Sequence, residues 1–294
     1  FLVAGDSMKA AFDNSFEKYN VEDGHFCLAA EIDDKTKENV ENLGVKLYKN
    51  FYVNKDLDNG NTFRLFKNRT DFNEIAVFEG NLPENNGEIA IDRLYAENNE
   101  IKVGDKIKVA DKDMTISATV AFSDYTSLFK NNTDMMFDAI KFDVAMVTKE
   151  GFDRLNKSIH YTYAWKYEDE PADDIEQKEK SDDFLEAMVS QVMAAGNEVE
   201  DYTPRYSNPA INFATDDMGS DKAMGGVLLD ILIVIIAFIF AVTISNTIAN
   251  ESSAIGTLRA SGYTKGELVR HYLSMPVIVT FLAAVVGNVL GYTV

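Results

Sequence analysis

ILIVIIAFIFAVTISNTIA (Ile231–Ala249) contains no charged residue, and neither does YLSMPVIVTFLAAVVGNVLGYTV (Tyr272–Val294). A helix rises ~1.5 Å per residue, so about 20 apolar residues cross a ~30 Å hydrocarbon core, and both stretches are long enough to span. The first is apolar on every face as far as Val242, whereas a helix buried in a globular core keeps a polar stripe. We read residues 223–250 and 272–294 as transmembrane helices joined by an elbow at 251–271. Everything before them, residues 1–222, reads as one aqueous domain.

Charge divides the same way. The chain has 28 Lys plus Arg and 48 Asp plus Glu, of which only Arg259, Lys265, Arg270, Asp230, Glu251 and Glu267 lie beyond Met224. The whole net charge of -20 therefore belongs to the first part. So acidic a surface repels nucleic acid and anionic headgroups, and its simplest role is solubility. The three cations of the short elbow place it on the cytoplasmic side by the positive-inside rule, in which Asp and Glu count for little. The acidic domain is then extracytoplasmic.

Cys27 is alone, which rules out an intrachain disulfide and a cysteine metal cluster, and its neighbours in HFCLAA (His25–Ala30) make it a buried strand thiol. A large outer domain without disulfides suits a bacterium. The sequons at Asn68, Asn131 and Asn156 are read as chance in so Asn-rich a chain. FLVAG (Phe1–Gly5) has no basic region ahead of it; we read it as the end of a preceding span or the start of an amphipathic helix, not as a signal peptide.

The outer domain reads as mixed α and β. Helices are expected at Ser7–Tyr19, Asp34–Leu43 and Lys149–Leu155, with a long one opened by Pro171 and running to about Ala195. Strands are expected at His25–Glu31, Val45–Val53, Thr62–Lys67, Asp143–Thr148 and His160–Tyr167, with a turn at Asp58-Asn59-Gly60. NLPENNGEIAID (Asn81–Asp92), KVGDKIKV (Lys102–Val109) and DMTISATVAF (Asp113–Phe122) suggest a small inserted β-rich subdomain at about 73–137. Asn208–Asp221 reads as a polar link, helical from Asp216 onward. The fold class is thus an α+β extracytoplasmic domain with a small β-rich insertion, followed by α-helical transmembrane segments.

No catalytic constellation emerges. His25, His160 and His271 are far apart, no metal-ligand spacing is present, and Asp173-Asp174 and Asp182-Asp183 read as solvated helix face, not calcium sites. Without a phosphate-binding loop of the G-x-x-x-x-G-K-[ST] type, any ATP that drives the protein must be bound by another polypeptide. We expect no enzymatic activity, no cofactor and no metal. In the spans, Asp230 lies near the outer end, where water relieves it, so a proton relay is not expected. Ala237, Ala241, Ser245 and Ala249 form a small-residue stripe, joined by Gly287 and Gly291, that lets helix backbones approach closely.

The elbow carries the most local structure. A helix from Ser252 to Ser261 ends at Gly262, suited to the left-handed conformation, and Thr264 with Glu267 makes a capping box that starts a second helix. The run IANESSAIGTLRASGYTKGELVRHYLSMP (Ile248–Pro276) resembles the signature of FtsX-like permeases of the MacB type, E-x-x-x-I-G-x-L-R-A-x-G after a span, at Glu251, Ile255, Gly256, Leu258, Arg259, Ala260 and Gly262. The acidic domain resembles that family's extracytoplasmic core domain. The resemblance implies an ABC permease subunit that pairs with a second copy or a paralogue and with cytoplasmic ATPase subunits docked on those elbow residues. ATP-driven motion would pass through the spans to the outer domain, to export or extract a peptide, antibiotic or lipoprotein. A regulator of cell-wall hydrolases and a membrane-anchored receptor are the alternatives, cargo stays open, and the chain reads as a piece of a longer permease.

Overall fold

The computed structural model describes residues 2–155 and 158–293; Phe1, the Asn156 sequon and Val294 at the end of the second span lie outside the described residues. Two compact units are present, residues 1–220 and 221–294.

The first unit holds two sheets. Helix α1 (Leu2–Lys18) leads into strand β1 (Gly24–Leu28), followed by α2 (Asp34–Glu41) and β2 (Val45–Lys49). With β10 (Tyr161–Tyr167) and β11 (Val199–Pro204) these strands form a four-stranded antiparallel sheet in the order β11-β1-β10-β2. Helix α5 (Asp174–Ala194) buries Phe184, Met188 and Val192, the apolar positions of its second half, in the core of this unit. Phe26, Tyr163, Trp165, Phe184 and Tyr202 make one aromatic cluster, in which Trp165 stacks on Tyr202 at 4.9 Å. Large rings of this kind bury 150–250 Å² each, roughly, and dominate core energetics. Gly24 is required here because a Cβ would sit 2.3 Å from Trp165 Cη2 and 2.8 Å from Pro204 Cα.

The second sheet joins β3 (Tyr52–Asp56), β4 (Thr62–Lys67), β9 (Phe142–Val147), β6 (Glu88–Asp92), β8 (Lys112–Phe122) and β5 (Ile75–Gly80) in that order, with β7 (Lys106–Val109) paired to β8. It is mixed: β4 and β9 run parallel, as do β6 and β8. Two short helices, α3 (Arg93–Asn98) and α4 (Lys149–Asp153), are capped by Asp92 and Thr148. The sheet takes in β3, β4 and β9, so the β-rich region reaches beyond the 73–137 limits to about Tyr52 and Val147.

Three local expectations need correction. Val45–Val53 is not one strand: the chain leaves the first sheet after Lys49 and enters the second at Tyr52. The crossing is held by the Asn50 N–H donating to Thr162 O at 2.9 Å and by Phe51 packed edge-on against Tyr161 and Tyr163. Pro171 does not open α5; Asp173 does, its Oδ1 accepting the Ile175 and Glu176 N–H groups, as an N-cap carboxylate should. The polar link is helical from its start, because Asn208 Oδ1 accepts the Ala210 N–H and Pro209 fits the first helical position. Strands β5 and β11 and helix α3 lacked a period strong enough to be read.

Helix α6 (Pro209–Asn250) has 42 residues, about 63 Å at the α-helical rise. Its first turn is gripped within the first unit: Thr126 Oγ1 donates to Ile211 O at 2.7 Å, Ala210 and Ile211 are buried, and Phe213 packs on Phe129 and Phe137. Helices α7 (Ser252–Ala260) and α8 (Lys265–Thr293) complete the second unit. Both α6 and α8 are long and apolar enough to cross a membrane. Pro276 lies within α8, and the helix continues through it.

Candidate functional site

At the elbow, the end of α7 is a complete Schellman motif. Tyr263 N–H donates to Leu258 O at 3.1 Å, Gly262 N–H donates to Arg259 O at 3.2 Å, and Gly262 has φ +100°. That backbone conformation is costly for any residue with a Cβ, which is why glycine ends this helix. Two residues later the capping box closes reciprocally: Glu267 Oε2 accepts from Thr264 N–H and Oγ1 at 2.8 Å each, and Thr264 Oγ1 accepts the Glu267 N–H. Two helix ends are thereby satisfied between Leu258 and Glu267, and the direction of the chain between α7 and α8 is set by backbone geometry.

A third tie crosses between helices. The Tyr272 hydroxyl, on α8, donates to Glu251 Oε2 at 2.5 Å. The Glu251 side chain makes no cap bond to α7, although it sits at the cap position. The helices enclose an apolar groove of about 480 Å³ walled by Ile244, Ile248, Ile255, Leu268, Val269 and Leu273, with Arg259 and Lys265 also lining it. Leu268 is buried.

Among the seven elbow residues singled out in the sequence, Ile255 and Arg259, one turn apart on α7, line the groove, and Glu251 is tied to Tyr272 on α8. Leu258 does not line it and is 38% exposed. Gly256 and Ala260 are exposed, with open space around a Cβ built on Gly256, and Gly262 makes the turn. The small residues Ala237, Ala241, Ser245 and Ala249 are exposed along α6, and Gly287 and Gly291 along α8. Lys265 was read in the sequence only as an orienting cation, and Leu268 and Tyr272 had no signal of their own as groove residues; Glu251 and Tyr272 are 21 positions apart and meet only when the helices fold back.

The first unit contains a buried polar junction that local patterns did not reveal. Arg69 forms an ion pair with Asp124 and donates from Nη1 to Asn50 Oδ1 at 2.7 Å. Asn73 Nδ2 donates to Glu22 Oε2 at 2.7 Å and to Asp124 Oδ2 at 3.3 Å, and Glu22 N–H donates to Asn73 Oδ1 at 2.8 Å. His25 Nδ1 lies 2.5 Å from Glu22 Oε1. Burial pushes the Glu22 carboxyl up, but the His25 charge and hydrogen bond, Asn73 and Arg69 together hold it below its usual range. Burial alone would lower His25; Glu22 outweighs this and raises it. For Asp124 burial wins, and its carboxyl is raised despite Arg69. The junction links the segment before β1, the crossing between sheets at Asn50 and the end of β8.

Among the described residues, no group of three or more His, Cys, Asp or Glu side chains is placed to hold a metal ion. His160 stacks on Tyr52 at 4.5 Å, and the buried Cys27 thiol, 3.7 Å from Glu200 Oε2, is pushed up in pKa by burial.

No curated protein sequence matches the chain. Among solved structures, the chain is similar to the extracellular domain of the noncanonic ABC-type transporter YknZ from Gram-positive bacteria, at 10% identity and TM-score 0.33, over 60% of this chain and 100% of that one. It is also similar to a domain of a protein described as a permease from Porphyromonas gingivalis, at 14% identity and TM-score 0.25, over 54% of this chain and 69% of that one. Residues 226–294 match the family described as FtsX-like permease C-terminal. That match takes in the capped elbow, α8 and the part of α6 from Gly226 onward, so it is this segment of the chain that is similar to the C-terminal part of FtsX-like permeases.

Proposed function

We propose that this chain is the permease subunit of an ABC transporter of the MacB type, in which the elbow receives ATP-driven motion from a cytoplasmic ATPase subunit and passes it to the extracytoplasmic domain. The observation that carries this reading is the elbow itself: a Schellman motif, a capping box and the Glu251–Tyr272 bond make a stiff lever of a segment that a simple tether would leave loose. Leu258, exposed and turned away from the groove, is the apolar contact for the ATPase, and Arg259 a charged one. The domains are the outer domain at 1–222, the spans at 223–250 and 272–294 and the elbow at 251–271. The exposed stripe at Ala237, Ala241, Ser245 and Ala249, with Gly287 and Gly291, packs against a second copy or a paralogue. The ATPase activity resides on the separate subunit, and the work done outside is export or extraction of a peptide, antibiotic or lipoprotein.

In the test, the complete permease is coexpressed with its ATPase. Leu258→Asp is expected to abolish copurification of the ATPase or uncouple its hydrolysis from transport while the permease stays in the membrane. Parent-level copurification and coupling in both Leu258→Asp and Arg259→Glu would refute docking at the elbow.

A further inference from the structure

We infer that the elbow groove is a binding site for an anionic phospholipid, with the acyl chains against its apolar wall and the phosphate on Arg259 and Lys265. The groove is built from the last turns of the uncharged run of α6 (Ile244, Ile248), from Ile255 and Arg259 of α7 and from the first turns of α8, so its apolar wall starts in the spans and continues into the elbow at the membrane boundary. Its only charged lining residues are cations. Both carboxylates of the elbow are engaged elsewhere, Glu251 by the Tyr272 hydroxyl and Glu267 by the capping box. Among the described residues, no hydrogen bond or ion pair engages the Arg259 guanidinium or the Lys265 ammonium.

An apolar cleft at the bilayer boundary with two uncompensated cations at its edge complements a molecule that is itself apolar and terminally anionic. A zwitterionic lipid would bring its own cation against them, and a free phosphate would leave about 480 Å³ of apolar groove unfilled. Basic residues beside the cytoplasmic ends of membrane helices select anionic headgroups by the same electrostatics. The inference rests on the two helices spanning a membrane and not on the docking of an ATPase.

The test is native mass spectrometry of the full chain, delipidated in detergent and titrated with phosphatidylglycerol or phosphatidylcholine of identical acyl chains, with no ATPase present. The expected result is a preference for phosphatidylglycerol that Arg259→Gln/Lys265→Gln reduces about 30-fold and that Arg270→Gln, outside the groove, leaves in place. Leu268→Asn should weaken both lipids. Equal binding of the two lipids by the parent chain, or a preference that survives the double substitution, would overturn the proposal. So would displacement of phosphatidylglycerol by millimolar inorganic phosphate, which would make the site one for free anions. Displacement by polyglutamate, which would assign the groove to an acidic protein segment, would overturn it equally.

Discussion

Replacing Arg69 by Met tests whether the buried polar junction holds the two sheets of the outer domain together. The Arg69 and Asp124 side chains are 5% and 3% exposed, so removing the guanidinium leaves a carboxylate in a nearly dry site and strips Asn50 Oδ1 of its donor. Breaking a buried ion pair from one side costs about 3–5 kcal/mol, much more than a surface pair is worth. With a urea slope of about 3 kcal/mol/M, suited to a domain of this size, the unfolding midpoint should fall by about 1–1.7 M. Trp165 is the sole tryptophan, it is fully buried, and it stacks on Tyr202, so its fluorescence reports the outer domain alone in the full chain in detergent. Because the larger part of the loss is an uncompensated charge, Arg69→Met/Asp124→Leu should recover at least half of it, apolar pairs often substituting for buried ion pairs at little cost. A midpoint for Arg69→Met within ~0.3 M of the parent, or a double variant weaker than the single one by the full Asp124 cost, would refute the reasoning.

Three further outcomes are expected. His25 titrates above its ordinary value in the folded domain because Glu22 faces it; its contribution is therefore fully present below pH ~6.5 and is lost as pH rises through the folded value. His25→Gln should flatten the alkaline decline of the urea midpoint, and an unchanged slope would assign that decline to another group. Asp143 is fully buried with Oδ2 unpartnered, and burial followed by the Asp92 charge raises its carboxyl well above the usual range, so it destabilises the fold progressively as pH rises above ~4. Asp143→Asn keeps the acceptor for the Asp92 N–H and should raise the midpoint at pH 7; a lower midpoint would show that the acid is needed there. In a Cys27→Ser background, cysteines at the exposed positions Asp182 and Ser261 should respond oppositely to an impermeant maleimide in intact cells, with Asp182 labelled; labelling of Ser261 alone would invert the orientation.

Signals that act over a few residues were legible in the chain before any folding. Uncharged runs of membrane length, Gly262 as the left-handed end of α7 and the Thr264–Glu267 capping box all depend on neighbours within one or two helical turns, and each is found at its expected place. The same holds for the strand expected at His160–Tyr167 and the helix expected to run to about Ala195, found as β10 and α5. The break at Asn50 was not legible, since Val45–Val53 has uninterrupted strand character and only Arg69, Thr162 and the rings of Tyr161 and Tyr163 make leaving one sheet for the other favourable. Nor could Glu22, Arg69, Asn73 and Asp124 be told from surface residues, because a polar side chain becomes a buried partner only when distant segments converge on it. At the elbow the caps were local, but the Glu251–Tyr272 bond and the groove between α6 and α8 exist only because two helices fold back on each other, a long-range contact that residue spacing does not encode.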